Sequence, residues 1–267
     1  MSTLVYRQNV WWGRQVFGLG QGRHWHMAGL DLTVIRQARE WQCQVHRPAT
    51  QNEDNHTWHL DAELPAEPQG ELSRYVFRAT TEHLTLLPRL ADRSVVIRPV
   101  MPLFVPAGQE VTFYVSTPVW LSASVDGQSA PLLDIPVVRP ADTWFGPNTV
   151  RGELCYATEV TGRLELGQLT PRPFRAVTPV HIRNLGSTQM PVERINLPVP
   201  FLPVYAAESG RLWTPTLEVI AEIQQKAPRI RIGQGVTTEA GHVELLTPAR
   251  RGAEEHALIR VFDTLFD

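Results

Sequence analysis

The sequence predicts an all-β protein built of two antiparallel, sandwich-like units, the second of them immunoglobulin-like. Three observations carry this. Apolar and polar residues alternate with period two in segment after segment, as in strands that turn one face to a core. Turn residues separate these segments at intervals of about 8–12 residues, the spacing of sandwiches and barrels. The 22 prolines and 18 glycines would interrupt any long helix.

The alternation runs through Leu30-Leu32-Val34, Trp41-Cys43-Val45 and Trp58-Leu60-Ala62-Leu64 in the first part of the chain. It returns at Val111-Phe113-Val115, Val119-Leu121-Ala123-Val125, Leu154-Tyr156-Thr158-Val160 and Leu217-Val219-Ala221-Ile223. Between them lie Pro68-Gln69-Gly70, Pro106-Ala107-Gly108, Asp126-Gly127, Gly146-Pro147-Asn148, Asn184-Leu185-Gly186 and Ser209-Gly210. Residues 215–226 carry several helix formers, but their apolar positions fit period two and predict a strand. Residues 252–266 place Leu258, Val261, Phe262 and Leu265 on one helical stripe, leaving a short C-terminal helix and a strand as alternatives. A polar, proline-containing stretch at residues 88–94 sets a boundary, with a β domain at 1–92 and a β-sandwich domain at 93–267.

Composition narrows the function classes. An apolar content of 43% and a charged content of 19% describe a globular chain. A net charge of −2 argues against nucleic acid, whose phosphates demand a basic surface. Lys226 is the single lysine among 25 basic residues, an arginine bias that reads as coding composition. Two cysteines, Cys43 and Cys155, make no disulfide framework and read as small buried apolar residues. The first residues lack a signal-peptide pattern, and no run reaches the roughly 18 apolar residues of a membrane span. The expected protein is soluble and cytoplasmic, without direct membrane insertion and without a cofactor.

Candidate chemistry concentrates at residues 11–59, which hold five of the eight tryptophans and five of the nine histidines. His24 and His26, two apart on a strand, project from one face as metal coordination requires. Gly18-x5-His24-x-His26-x4-Asp31 approximates the first cupin metal motif, with Asp31 in place of the expected glutamate and no second motif. The metal candidates are therefore His24, His26 and Asp31, with His46 and His56 as further possible ligands. The tryptophans admit a carbohydrate-stacking reading, although core anchoring accounts for Trp41 and Trp58. Adjacent Trp11 and Trp12 must point to opposite sides if extended, which leaves one of them partly exposed or at an interface. Gly18-Leu19-Gly20-Gln21-Gly22 lacks the helix of a dinucleotide loop and reads as a hairpin turn.

The segment from Asp142 to Tyr156 combines an aromatic turn, a Gly-Pro corner and the charged residues Arg151 and Glu153. With Trp12, its Trp144, Phe145, Arg151 and Glu153 form the ligand-binding candidates, set against a purely structural corner. Asp-Thr-Trp-Phe-Gly followed by Arg-Gly-Glu-Leu-Cys-Tyr resembles the hallmark of an uncharacterised prokaryotic family of unknown function. Leu197-Pro198-Val199-Pro200 and Leu212-Trp213-Thr214-Pro215 extend the resemblance. It implies no catalytic residue, and an association with small mechanosensitive channels. The expected function is a non-enzymatic interaction module with a protein partner, possible as a homodimer. The alternatives are a cupin-like metal enzyme or sensor and a carbohydrate-binding module.

Overall fold

The computed structural model describes residues 10–48, 57–61, 63–67, 69–99, 103–146, 152–160, 163–222 and 228–252. These form strands β1 (Gly13–Val16), β2 (Gly22–Met27), β3 (Leu30–Arg36), β4 (Glu40–His46), β5 (Trp58–Asp61), β6 (Glu71–Val76) and β7 (His83–Arg89). There follow β8 (Val95–Pro99), β9 (Leu103–Val105), β10 (Glu110–Pro118), β11 (Trp120–Val125), β12 (Leu133–Pro136), β13 (Ala141–Phe145) and β14 (Glu153–Val160). The series closes with β15 (Arg175–Asn184), β16 (Met190–Val192), β17 (Ile195–Leu197), β18 (Val204–Ala207), β19 (Leu212–Trp213), β20 (Leu217–Ala221), β21 (Arg229–Ile232) and β22 (Val243–Thr247). Among the described residues the helical segments are three short 3-10 turns, and no helix is long and apolar enough to cross a membrane. The protein is thus all-β. The segment at 252–266, left between helix and strand, lies almost wholly outside the described residues.

The chain divides into two compact units, Met1–Arg89 with Val119–Arg139, and Leu90–Pro118 with Pro140–Asp267. Where the sequence places one boundary at 92–93, the chain first crosses at 89–90 and then returns for residues 119–139. The return is set by pairing: β11 lies antiparallel to β7, with Ala123 opposite Leu86 and Val125 opposite Leu84. Local alternation marks β11 as a strand but carries no information about its partner.

The first unit holds two antiparallel sheets, ordered β5-β2-β3-β4-β6 and β1-β7-β11-β12. Alternation does its work here. Trp25, Leu30, Leu32, Val34, Trp41 and Cys43 are at most 1% exposed on one face of the five-stranded sheet. Phe17, which follows β1, meets the ring of Trp41 edge-on at 5.1 Å and that of Trp25 at 6.4 Å. Truncating such a buried aromatic costs about 3–5 kcal/mol, so this face fixes the register of the sheet. Trp11 and Trp12, expected to lie on opposite sides, are both buried and pack edge-to-face at 5.6 Å. The glycine-rich run after β1 is a turn, but it joins two different sheets and closes no hairpin.

The second unit is mixed. Its largest sheet runs β21-β20-β15-β19-β18-β22, with β10 also paired to β15. Three pairs are parallel: β14 with β8, β15 with β19, and β15 with β20. Strand β15 is buried along most of its length, in keeping with its central place. Asn184 at its end is 2% exposed and satisfies four backbone groups. Its Nδ2 donates to the carbonyls of Val105 (2.9 Å), Pro106 (3.1 Å) and Thr188 (2.8 Å), and its Oδ1 accepts from Gly186 N at 3.0 Å.

Candidate metal centre and the Trp-Phe-Gly hairpin

The face of the five-stranded sheet opposite the tryptophans is polar, and pairing assembles it from three strands. β2 lies between β3 and β5, so His26 stands directly opposite Asp31 on one side and His59 on the other. One step along, His24 stands between Thr33 and Asp61. Directly opposed residues of an antiparallel pair have Cβ atoms about 5 Å apart. Two rows of imidazoles and carboxylates therefore meet on one surface.

His26 is the centre of this cluster. Its Nδ1 lies 2.8 Å from Asp31 Oδ1. A carboxylate only accepts, so the ring nitrogen donates and the tautomer is set. Its Nε2 lies 3.4 Å from Asp61 Oδ2, and His59 Nε2 lies 3.9 Å from the same oxygen. The rings of His26 and His59 stack at 4.3 Å. Two triads have donor atoms within 4.8 Å of one another: His24, His26 and Asp31, and His26, His59 and Asp61.

The second triad has the geometry of a coordination edge. In a tetrahedral site with bonds near 2.0 Å, neighbouring donors stand about 3.3 Å apart. The 3.4 Å between His26 Nε2 and Asp61 Oδ2 matches that edge. The 2.8 Å contact to Asp31 is a hydrogen bond to the other nitrogen, the arrangement by which a carboxylate orients a ligating imidazole. Asp31 thus stands against His26 Nδ1, and the triad expected from sequence, His24, His26 and Asp31, is brought together with its donor atoms within 4.8 Å.

His24 is 7% exposed, and its Nδ1 is 2.7 Å from Thr33 Oγ1. Burial, and then the neighbouring His26, hold its pKa below the ordinary imidazole value, which keeps it neutral. At Gly22, the first residue of β2, a Cβ would sit 2.6 Å from Leu64 Cδ1, so the missing side chain makes room for Leu64 there. His46 is opposite Asp31 on β4, at the far side of the row; His56 lies outside the described residues.

The other sequence candidates gather in a hairpin of the second unit. β13 pairs with β14, setting Trp144 against Leu154 and Phe145 against Glu153. Phe145 is buried with Cys155 and Val96, and the Arg194 guanidinium sits 5.3 Å from its ring centre. Glu153 Oε1 accepts from the Nδ2 of the buried Asn196 at 2.5 Å and from Cys155 Sγ at 3.4 Å. Arg93 covers the Tyr156 ring at 4.6 Å and pairs with Asp142 at 3.1 Å. These groups satisfy one another, as a structural corner does.

A family model described as "Protein of unknown function (DUF432)" matches residues 11–267. The chain belongs to the DUF432 family. No curated protein and no solved structure matches it. In this DUF432 protein the Asp-Thr-Trp-Phe-Gly and Gly-Glu-Leu-Cys-Tyr strings are the two strands of one hairpin. Gly152 belongs there because a Cβ would lie 2.0 Å from Trp144 Nε1 and 2.7 Å from the Phe145 carbonyl oxygen. Arg151 lies outside the described residues. Trp12 is buried in the first unit, so its ring offers no open face for stacking on a sugar. Both cysteines are buried and free.

Sequence reasoning passed over His59 and Asp61. Their alternation with Leu60 was legible, and it puts both side chains on one face. What was not legible is that β5 pairs with β2, some thirty residues upstream, and not with its chain neighbour β6.

Proposed function

We propose that this DUF432 protein binds a divalent transition-metal ion of the zinc class through His26 Nε2, His59 Nε2 and Asp61 Oδ2. Asp31 sets the tautomer of His26. The observation that carries the reading is the double engagement of His26, with Asp31 at 2.8 Å on one nitrogen and Asp61 at 3.4 Å on the other. Two imidazoles and one carboxylate suit zinc and its neighbours, while calcium and magnesium prefer an all-oxygen shell. Three protein donors leave a coordination position for another ligand. The test is calorimetric titration of Zn²⁺ into the full, untagged, chelator-treated chain, with elemental analysis. One ion per chain is expected, lost in His26→Ala and in Asp61→Ala. Equal zinc uptake by the parent and both variants would refute the assignment.

A second reading, an interaction module acting on a protein partner, draws on strand β6 at the end of the five-stranded sheet. There Leu72 is 51% and Val76 72% exposed. Strand addition by a peptide would pair the outer edge of β6 and slow hydrogen exchange of its amides. Unchanged exchange in the presence of a captured partner would count against it.

A further inference from the structure

The three metal donors leave the ion incomplete, and two of them sit on β5, the terminal strand of its sheet among the described residues. His59 is 61% and Asp61 48% exposed at the side chain, and Leu60 between them is 37% exposed. We infer that a second copy of this chain completes the site, its β5 pairing antiparallel with this one about a two-fold axis through Leu60. The inference rests on the metal reading above.

Symmetry fixes the consequences. Antiparallel pairing of identical strands about Leu60 sets residues whose numbers sum to 120 against each other. His59 then faces the partner's Asp61, and Asp61 faces the partner's His59, all on the polar face of a continuous sheet. Leu60 meets the partner's Leu60 on the opposite face. Opposed side chains have Cβ atoms about 5 Å apart, within reach of a shared ion. Each Asp61 gives Oδ2 to its own ion and its second oxygen to the ion of the partner, so the dimer holds two ions and each ion gains a fourth donor. Without metal the same pairing is held by a short backbone ladder and one Leu–Leu contact, and so short a two-stranded pairing is marginal in water. The dimer should therefore form only with the ion.

Sedimentation velocity on the full chain tests this. The chelator-treated protein should sediment as a monomer and shift to a dimer with one equivalent of Zn²⁺. Leu60→Lys, with far-UV circular dichroism matching the parent, should still take up one ion yet stay monomeric. A parent chain that binds one ion and remains a monomer overturns the inference and leaves the metal reading standing. A dimer that persists in chelator also overturns it. A chain that takes up no zinc removes the metal reading and the inference together.

Discussion

His26 illustrates how a side chain acquires a role from its neighbours. A lone imidazole on a strand is unremarkable, but one held by Asp31 presents its second nitrogen in a defined direction. Asp31→Asn keeps the shape and removes the charge that favours the correct tautomer. Zinc affinity should fall about 10- to 100-fold with one ion per chain retained, whereas Asp61→Asn should remove a donor and the ion with it. Competition against a chromogenic chelator separates the two outcomes. Tyr114 offers a pH-dependent test. Burial, and then its hydrogen bond to Glu239, push its pKa up to about 12. Its folded value lies above the unfolded one, so this contribution to stability is complete below pH 10 and is lost as pH rises toward 12. Burial also raises the phenols of Tyr75 and Tyr156, so absorbance titration near 295 nm should show a late-ionising phase that loses one phenol in Tyr114→Phe. A parent titration without that late phase would refute it.

At the level of elements, the hairpin of β13 and β14 shows how a recognisable string is tied to local packing. Its glycine makes room for an indole, its glutamate accepts from a buried asparagine, and its Phe145 packs with Cys155 and Val96 in a small core while Trp144 stays 37% exposed. Gly152→Ala would force a Cβ against Trp144 and the Phe145 carbonyl, an overpacking cost of about 1–3 kcal/mol, read from urea unfolding. Equal midpoints for variant and parent would show that the hairpin yields. A milder effect is expected at Gly22, where a Cβ meets only the flexible tip of Leu64. The metal cluster was half legible in sequence for a related reason. Period two reveals which residues share a face, which found His24, His26 and Asp31 together. It does not reveal which strands are neighbours, and the donors on β5 come from that second fact.

For the whole molecule, the same limit governs the fold. Alternation located β3, β4, β5, β10, β11, β14 and β20 and the all-β class, because burial of one face is written into local sequence. The parallel pairs of β15 and the return of β11 to the first unit depend on contacts between distant segments and left no local trace. The cysteines were legible, since a small apolar residue at an inward position is buried whatever its partner. Cys43 is fully buried and its thiol is pushed up to about 12 by desolvation; burial also raises that of Cys155. Neither should react with an aromatic disulfide reagent in the folded protein, and two thiols per chain should appear on denaturation. Fast labelling of either thiol under native conditions would contradict the burial.

The path of the chain between its two units has a practical corollary for anyone who cuts the gene. A fragment ending at residue 92 would carry β7 but not β11 or β12, leaving the backbone N–H and C=O groups on one side of β7 without their partners. The complementary fragment would carry β11 paired to β12 alone, with the edge of β11 that faces β7 left open. Neither piece coincides with one of the two compact units. A fragment that holds the whole shorter unit needs residues 119–139 joined to 1–89 through a short added turn, since Arg89 and Trp120 are paired neighbours.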